Sequence, residues 1–150
     1  MLFNMTTKYI AHSLTETQKI AEQFVLTLNI TPSGATVVGL YGDLGAGKTS
    51  FTQGVAHALG IQENVVSPTF VIEKIYELFG KRFSHLIHID AYRIETSNEL
   101  LHLGWNEIIS NPKNLILIEW PERVLDIMPP HIKIQFTHTG NEGREIEIMV

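Results

Sequence analysis

Apolar and polar positions recur along this chain with two periods, near two and near 3.6, and segments of each kind follow one another. Residues 8–12 alternate weakly, as a short strand does. At residues 13–16 (SLTE) a hydroxyl precedes a carboxylate by three positions, the pattern of a capping box in which each side chain satisfies a helix-end N–H. The helix it opens carries Ile20, Ala21, Phe24, Val25 and Leu28 at helical spacing, with Pro32, Ser33 and Gly34 beyond its end. Residues 36–41 (TVVGLY) are apolar and β-branched, which predicts a buried parallel strand. Helical spacing returns over 50–59, where Phe51, Val55, Ala58 and Leu59 share a side and Gly60 occupies the C-terminal cap position.

The second half is richer in strands. Pro68 pushes Ser67 into an extended conformation, so residues 65–70 read as loop or strand entry. Two β-rich runs, 69–78 and 83–89, joined by the polar turn 79–82, predict a hairpin. Residues 97–103 predict a short helix capped by Ser97 and stopped by Gly104, and 105–109 a further turn. Residues 115–119 (LILIE) form the most apolar run of the chain and predict a central strand. Pro121 suits the first turn of a helix, and the Pro129–Pro130 pair breaks the chain. Residues 132–138 and 144–150 then alternate clearly around the turn 139–143, a second hairpin with Ile146, Ile148 and Val150 on one face.

Composition narrows the class. With 150 residues, 44% hydrophobic and 18% charged, the chain predicts one globular domain, 1–150, with a real core. A formal net charge of −5, from 11 Lys and Arg against 16 Asp and Glu, argues against free-standing nucleic-acid binding, which needs a basic face. Any nucleic acid in its function is expected to be held by a partner. Absence of cysteine excludes disulfides, zinc–thiolate sites and thiol chemistry. The seven histidines are scattered without a metal-ligand spacing. No apolar run approaches a membrane span and the N-terminus lacks a signal-peptide core, so a cytoplasmic protein is expected.

The chemistry concentrates between the first long helix and the second. Residues 42–49 (GDLGAGKT) match G-x-x-x-x-G-K-[ST] at every fixed position, between a predicted strand and a predicted helix. Gly42, Gly45 and Gly47 let the backbone turn its N–H groups onto phosphate oxygens with no Cβ in the way. The helix starting at Lys48 adds the positive end of its dipole. Lys48 would place an ammonium on the β- and γ-phosphates, and the Thr49 hydroxyl would ligate Mg²⁺. Asp43 is unexpected in a loop built for anions; an outward turn residue and a catalytic acid are both open readings.

Two further strands end in acids. The run before Asp90 and the run before Glu119 would both deliver a carboxylate toward the loop, and Glu119, on the more apolar strand, ranks first as Mg²⁺ ligand or water-positioning group. Asp90 stands between a functional acid and an ordinary strand-end charge. Trp120 either packs or walls the site. Ser67 and Thr69, flanking Pro68, read as a γ-phosphate-sensing switch or as an ordinary turn. Arg144 reads first as a solvated strand-end charge, with contact to a phosphate or base as the alternative. The fold these pieces predict is α/β: a P-loop NTPase-like, mostly parallel sheet flanked by helices, with antiparallel hairpin additions.

Taken together, residues 42–49 with the internal Asp43, 67–70 (SPTF), 88–93 (HIDAYR), 118–122 (IEWPE) and Gly143–Arg144 resemble, in order and over nearly the whole chain, the TsaE (YjeE) family of bacterial ATPases of tRNA threonylcarbamoyladenosine synthesis. The resemblance implies ATP held by Gly42, Asp43, Leu44, Gly45, Ala46, Gly47, Lys48, Thr49 and Ser50. It implies Mg²⁺ at Thr49 and Glu119, with Asp90 as an essential carboxylate that also serves the metal. Ser67 and Thr69 would be the switch, and Trp120 would lie near the nucleotide. It also implies TsaD and TsaB as partners, with tRNA reached only through that complex. A small-metabolite kinase and a nucleotide-sensing adaptor without significant hydrolysis are the competing readings. A kinase of that kind usually carries an arginine-bearing lid, and nothing in the sequence looks like one. A GTPase is disfavoured because no Asn-Lys-x-Asp guanine motif occurs.

Overall fold

The two densest aliphatic runs of the chain lie side by side in the middle of a seven-stranded sheet, where each strand is covered on both faces. The computed structural model describes residues 5–43, 45–63, 65 and 72–150; Leu44, Ser67 and Thr69 lie outside them. In chain order the elements are β1 (Thr6–Ala11), α1 (Leu14–Leu26), β2 (Thr36–Tyr41), α2 (Lys48–Ala58), β3 (Glu73–Glu77), β4 (His85–Asp90), α3 (Ser97–Leu101), α4 (Trp105–Ser110), β5 (Asn114–Glu119), a 3-10 helix (Pro121–Ile127), β6 (Ile132–His138) and β7 (Arg144–Met149). The sheet order is β1-β7-β6-β2-β5-β4-β3. Its middle, β6-β2-β5-β4, is parallel. Antiparallel pairing adds β3 at one edge and β7 with β1 at the other. This is the α/β sheet expected from the sequence, and both hairpins form.

Side-chain alternation divides the sheet into two faces. Val38, Leu40, Leu86, Leu115, Leu117, Ile134 and Phe136 pack with Phe24, Val25, Phe51 and Val55 of α1 and α2. Val37, Ile87, Ile89, Ile116 and Ile118 pack on the opposite face with Leu100, Trp105 and Val124. Each such side chain, fully withdrawn from water, contributes about 1.5–3 kcal/mol of transfer free energy. The two long helices cross closely at Gly54, where a Cβ would sit 2.4 Å from the Gln18 carbonyl oxygen. No helix among the described residues is long and apolar enough to cross a membrane.

Local signals held with specific amendments. Ser13 caps α1, its Oγ accepting from Glu16 N–H at 3.1 Å, but Glu16 reaches back to the His12 N–H rather than that of Ser13. The first residue of α3 is Ser97, and its cap is Thr96, not Ser97; Glu99 accepts from the Thr96 and Glu95 N–H groups at 3.1 and 2.7 Å, which holds its carboxyl below the usual range. Ser97 is engaged elsewhere, on the Asp126 carboxylate. That helix ends at Leu101 rather than 103, and Gly104 serves as the left-handed N-cap of α4. The predicted 69–78 strand begins at Glu73 among the described residues, with Leu78 past its end. Ile146 and Ile148 are buried as expected, whereas Val150 lies beyond β7 and is 65% exposed.

Candidate nucleotide site at the head of the second helix

β2 delivers the chain to residues 42–49 at the carboxyl ends of the parallel strands, the position where α/β sheets bind ligands. Gly47 caps α2 with φ 106°, and Gly45 has φ 74°, conformations that L side chains rarely adopt. A Cβ on Gly42 would meet the Phe136 carbonyl oxygen at 2.7 Å, so β6 presses the loop from beneath. The turn closes by Ala46 N–H donating to the Asp43 carbonyl at 3.1 Å. This leaves the N-terminal amides of an 11-residue helix at the loop, a ready anion site.

Lys48 is buried, and its ammonium donates to the Gly42 carbonyl oxygen of its own loop. Burial lowers its pKa; Glu119, Glu122, Asp90 and Asp43, in decreasing order, pull it back up. Lys48 Nζ also sits 3.9 Å from the centroid of Trp120. Trp120 is the one non-glycine with positive φ among the described residues, at φ 59° and ψ 48°, a backbone state that costs about 1–3 kcal/mol. Its N–H reaches the Leu40 carbonyl at 3.4 Å, and its ring lies 5.1 Å from that of Tyr92. Arg123 covers the Tyr92 ring at 5.6 Å.

The sheet register brings the expected carboxylates together. β5 lies between β2 and β4, pairing Leu40 with Glu119 and Glu119 with Asp90. Glu119 is buried and held by His88, whose Nε2 lies 2.7 Å from Oε2. Asp90 is half-buried and accepts from the Tyr92 N–H at 3.0 Å. Thr49 and Ser50 are half-buried on the first turn of α2, and Asp43 is exposed on the loop. Among the described residues no three His, Asp or Glu side chains group as a metal cage. The oxygen donors present, the Glu119 and Asp90 carboxylates and the Thr49 hydroxyl, are of the kind that suits a hard cation shared with phosphate oxygens. Leu44, Ser67 and Thr69 lie outside the described residues.

Two side chains gain roles that sequence reasoning did not assign them. Arg144 is not a solvated strand-end charge: it is 6% exposed, with Nη2 donating to the Gly45 carbonyl at 2.8 Å and Nη1 to the Gly143 and Asn141 carbonyls at 2.8 and 3.3 Å. Its side chain backs onto Gly47, whose Cβ would lie 3.3 Å from Nε. Burial reverses the expectation because β1 pairs across Arg144 and the loop covers it. His88 looked like one of several scattered histidines; only the parallel pairing of β4 with β5 aims it at Glu119. The sole sequence signal was its place two residues before Asp90 on the same strand face.

Comparison with known proteins identifies the family. The family model described as "Threonylcarbamoyl adenosine biosynthesis protein TsaE" matches residues 11–146. A protein of Rickettsia prowazekii named tRNA threonylcarbamoyladenosine biosynthesis protein TsaE is 37% identical over 135 residues, 89% of this chain and 88% of its own length. The Bacillus subtilis protein of that name is 39% identical over 132 residues, covering 87% and 77%. The crystal structure of Bacillus subtilis YdiB superposes with TM-score 0.78 and 28% identity, covering 100% of this chain and 88% of that one. The chain belongs to the TsaE family.

Proposed function

We propose that this chain is a single-domain, cytoplasmic ATP-binding and hydrolysing component of the machinery that places threonylcarbamoyl groups on tRNA adenosine, acting with TsaD and TsaB and meeting tRNA only through them. Family membership supports the pathway. The observation that carries the chemistry is Lys48, at the head of α2, under the charge of Glu119 and Asp90 from two neighbouring parallel strands.

The amides of Gly45, Ala46, Gly47, Lys48, Thr49 and Ser50 would bind the β- and γ-phosphates, with Asp43 and Leu44 belonging to the same sequence motif. Lys48 exchanges the Gly42 carbonyl for phosphate oxygens. Thr49 and Glu119, with Asp90 as a further candidate, would hold the divalent ion, which would supply charge neutralisation to the transferring phosphoryl group. If only one of the two acids binds the ion, the other would orient the attacking water. Trp120 walls the site, and Ser67 and Thr69 sense the γ-phosphate. Arg82 is committed to the Leu28 carbonyl and Asn29, and Arg144 to the loop backbone. Neither of these two is disposed to reach a γ-phosphate as an arginine finger; Arg123 lies over Tyr92 beside the site, and hydrolysis is expected to be weak until a partner orders it.

The test compares nucleotide affinity and turnover of the isolated protein with and without TsaD and TsaB. Lys48→Ala is expected to lose nucleotide binding; Glu119→Gln is expected to bind nucleotide and lose turnover. Equal turnover with and without the partners sinks partner activation. A phosphorylated small molecule formed from ATP favours a metabolite kinase, and Glu119→Gln with full function in tRNA modification favours an adaptor.

A further inference from the structure

His88 is fully buried on β4, and of its two ring nitrogens only Nε2 has a partner: Glu119 Oε2 at 2.7 Å. Nδ1 is buried with no hydrogen bond among the described residues. A buried, unpartnered ring nitrogen is a net cost, and Leu86 and Leu117, on the same face of the sheet, show that aliphatic side chains fill it. Glu119 is the only polar partner His88 has among the described residues.

The geometry of that contact has a direction. A carboxylate only accepts, so Nε2 carries the proton and donates it to Oε2. Oε2 is thereby occupied, and Oε1 is the oxygen of Glu119 that the His88 contact does not use. Glu119 is also the last residue of β5, followed at once by the left-handed Trp120. Loss of the His88 contact would free its carboxylate to take other rotamers.

We infer that His88 is a positioning residue: it clamps Glu119 through Oε2 and leaves Oε1 presented to the divalent ion that accompanies the nucleotide. This rests on the proposed role of Glu119 in holding that ion. Groups behind a metal ligand orient it, and removing them typically costs about 10–100-fold in metal affinity.

Two isopolar substitutions test it. His88→Gln carries an amide N–H the same number of bonds from the backbone as Nε2; His88→Asn stops one bond short. Mn²⁺ is titrated into each protein–ADP complex by electron paramagnetic resonance, and ADP affinity is measured separately in EDTA. The expected result is a roughly 10–100-fold loss of Mn²⁺ affinity in His88→Asn, retention within a few-fold in His88→Gln, and metal-free ADP affinity unchanged in both. The inference is overturned if His88→Asn keeps Mn²⁺ affinity while Glu119→Gln loses it, an outcome that leaves the reading of Glu119 standing. It is also overturned if Gln and Asn lose Mn²⁺ and metal-free ADP affinity alike, which is a folding effect. Unchanged Mn²⁺ affinity in Glu119→Gln instead removes the metal role of Glu119, and the clamp with it.

Discussion

Arg144 Nη2 donates to the Gly45 carbonyl oxygen at 2.8 Å, tying the last strand to the glycine-rich loop ahead of α2 across 99 positions of chain. The same guanidinium holds two carbonyls of its own turn, so it works as a fork with its tines in two segments. A backbone carbonyl directed away from the loop's interior leaves the neighbouring amides free to face an anion.

Arg144→Ala is therefore expected to weaken nucleotide binding roughly 10–100-fold, the loss of a charge-assisted bond worth about 1.5–3 kcal/mol. Arg144→Lys keeps the charge without the fork and is expected to recover little of it. Calorimetric titration with ADP checks both; wild-type affinity in Arg144→Ala would show that the loop holds its shape unaided.

Lys48 predicts a pH dependence. Burial holds the free amine below the ordinary lysine range, and the surrounding carboxylates offset this only in part. Bound phosphates favour the protonated form, so nucleotide binding raises the pKa and takes up a proton in the alkaline interval between the two values. Affinity should fall as pH rises through that interval. ADP titrations across the alkaline range in buffers of different ionisation enthalpy should register the uptake, and Lys48→Arg should abolish it because guanidinium does not titrate there. An affinity independent of alkaline pH contradicts the prediction.

Trp120 and Trp105 offer internal reporters of different kinds. Trp105 is fully buried, its Nε1–H bonded to the Ile127 carbonyl at 3.0 Å, far in character from the charged site. Trp120 has the Lys48 ammonium 3.9 Å from its ring, and the proposed turn of Lys48 to phosphate would withdraw it. Tryptophan emission should change on nucleotide binding in the wild type and in Trp105→Phe, and be silent in Trp120→Phe. A persistent change in Trp120→Phe would locate the response elsewhere.

Gly54 tests the framework rather than the site. A methyl group there meets the Gln18 carbonyl oxygen at 2.4 Å and the Ala21 methyl at 2.8 Å, so α1 must move. Gly54→Ala is expected to destabilise by about 1–3 kcal/mol despite the better helix propensity of alanine. Denaturant unfolding reads this directly, and a stabilised variant would mean the two helices separate freely.

Much of this molecule is written in local pattern. The loop at 42–49 with its strand and helix, the second helix's buried face, the apolar run ending at Glu119 and both hairpins follow from periodicity and from glycine and proline placement, which act over a few residues. Position relative to strand ends also announced Asp90 and Glu119 as neighbours of the loop. What periodicity does not carry is which strands lie together. Insertion of β5 between β2 and β4 is what seats Glu119 beside Leu40 and His88 against Glu119. Pairing of β7 with β1 and β6, beneath the loop, is what buries Arg144. An isolated arginine or histidine in a strand has the same local pattern whether it meets water or a carboxylate. Its partner is chosen by the register of a strand tens of residues away, and only the assembled sheet sets that register.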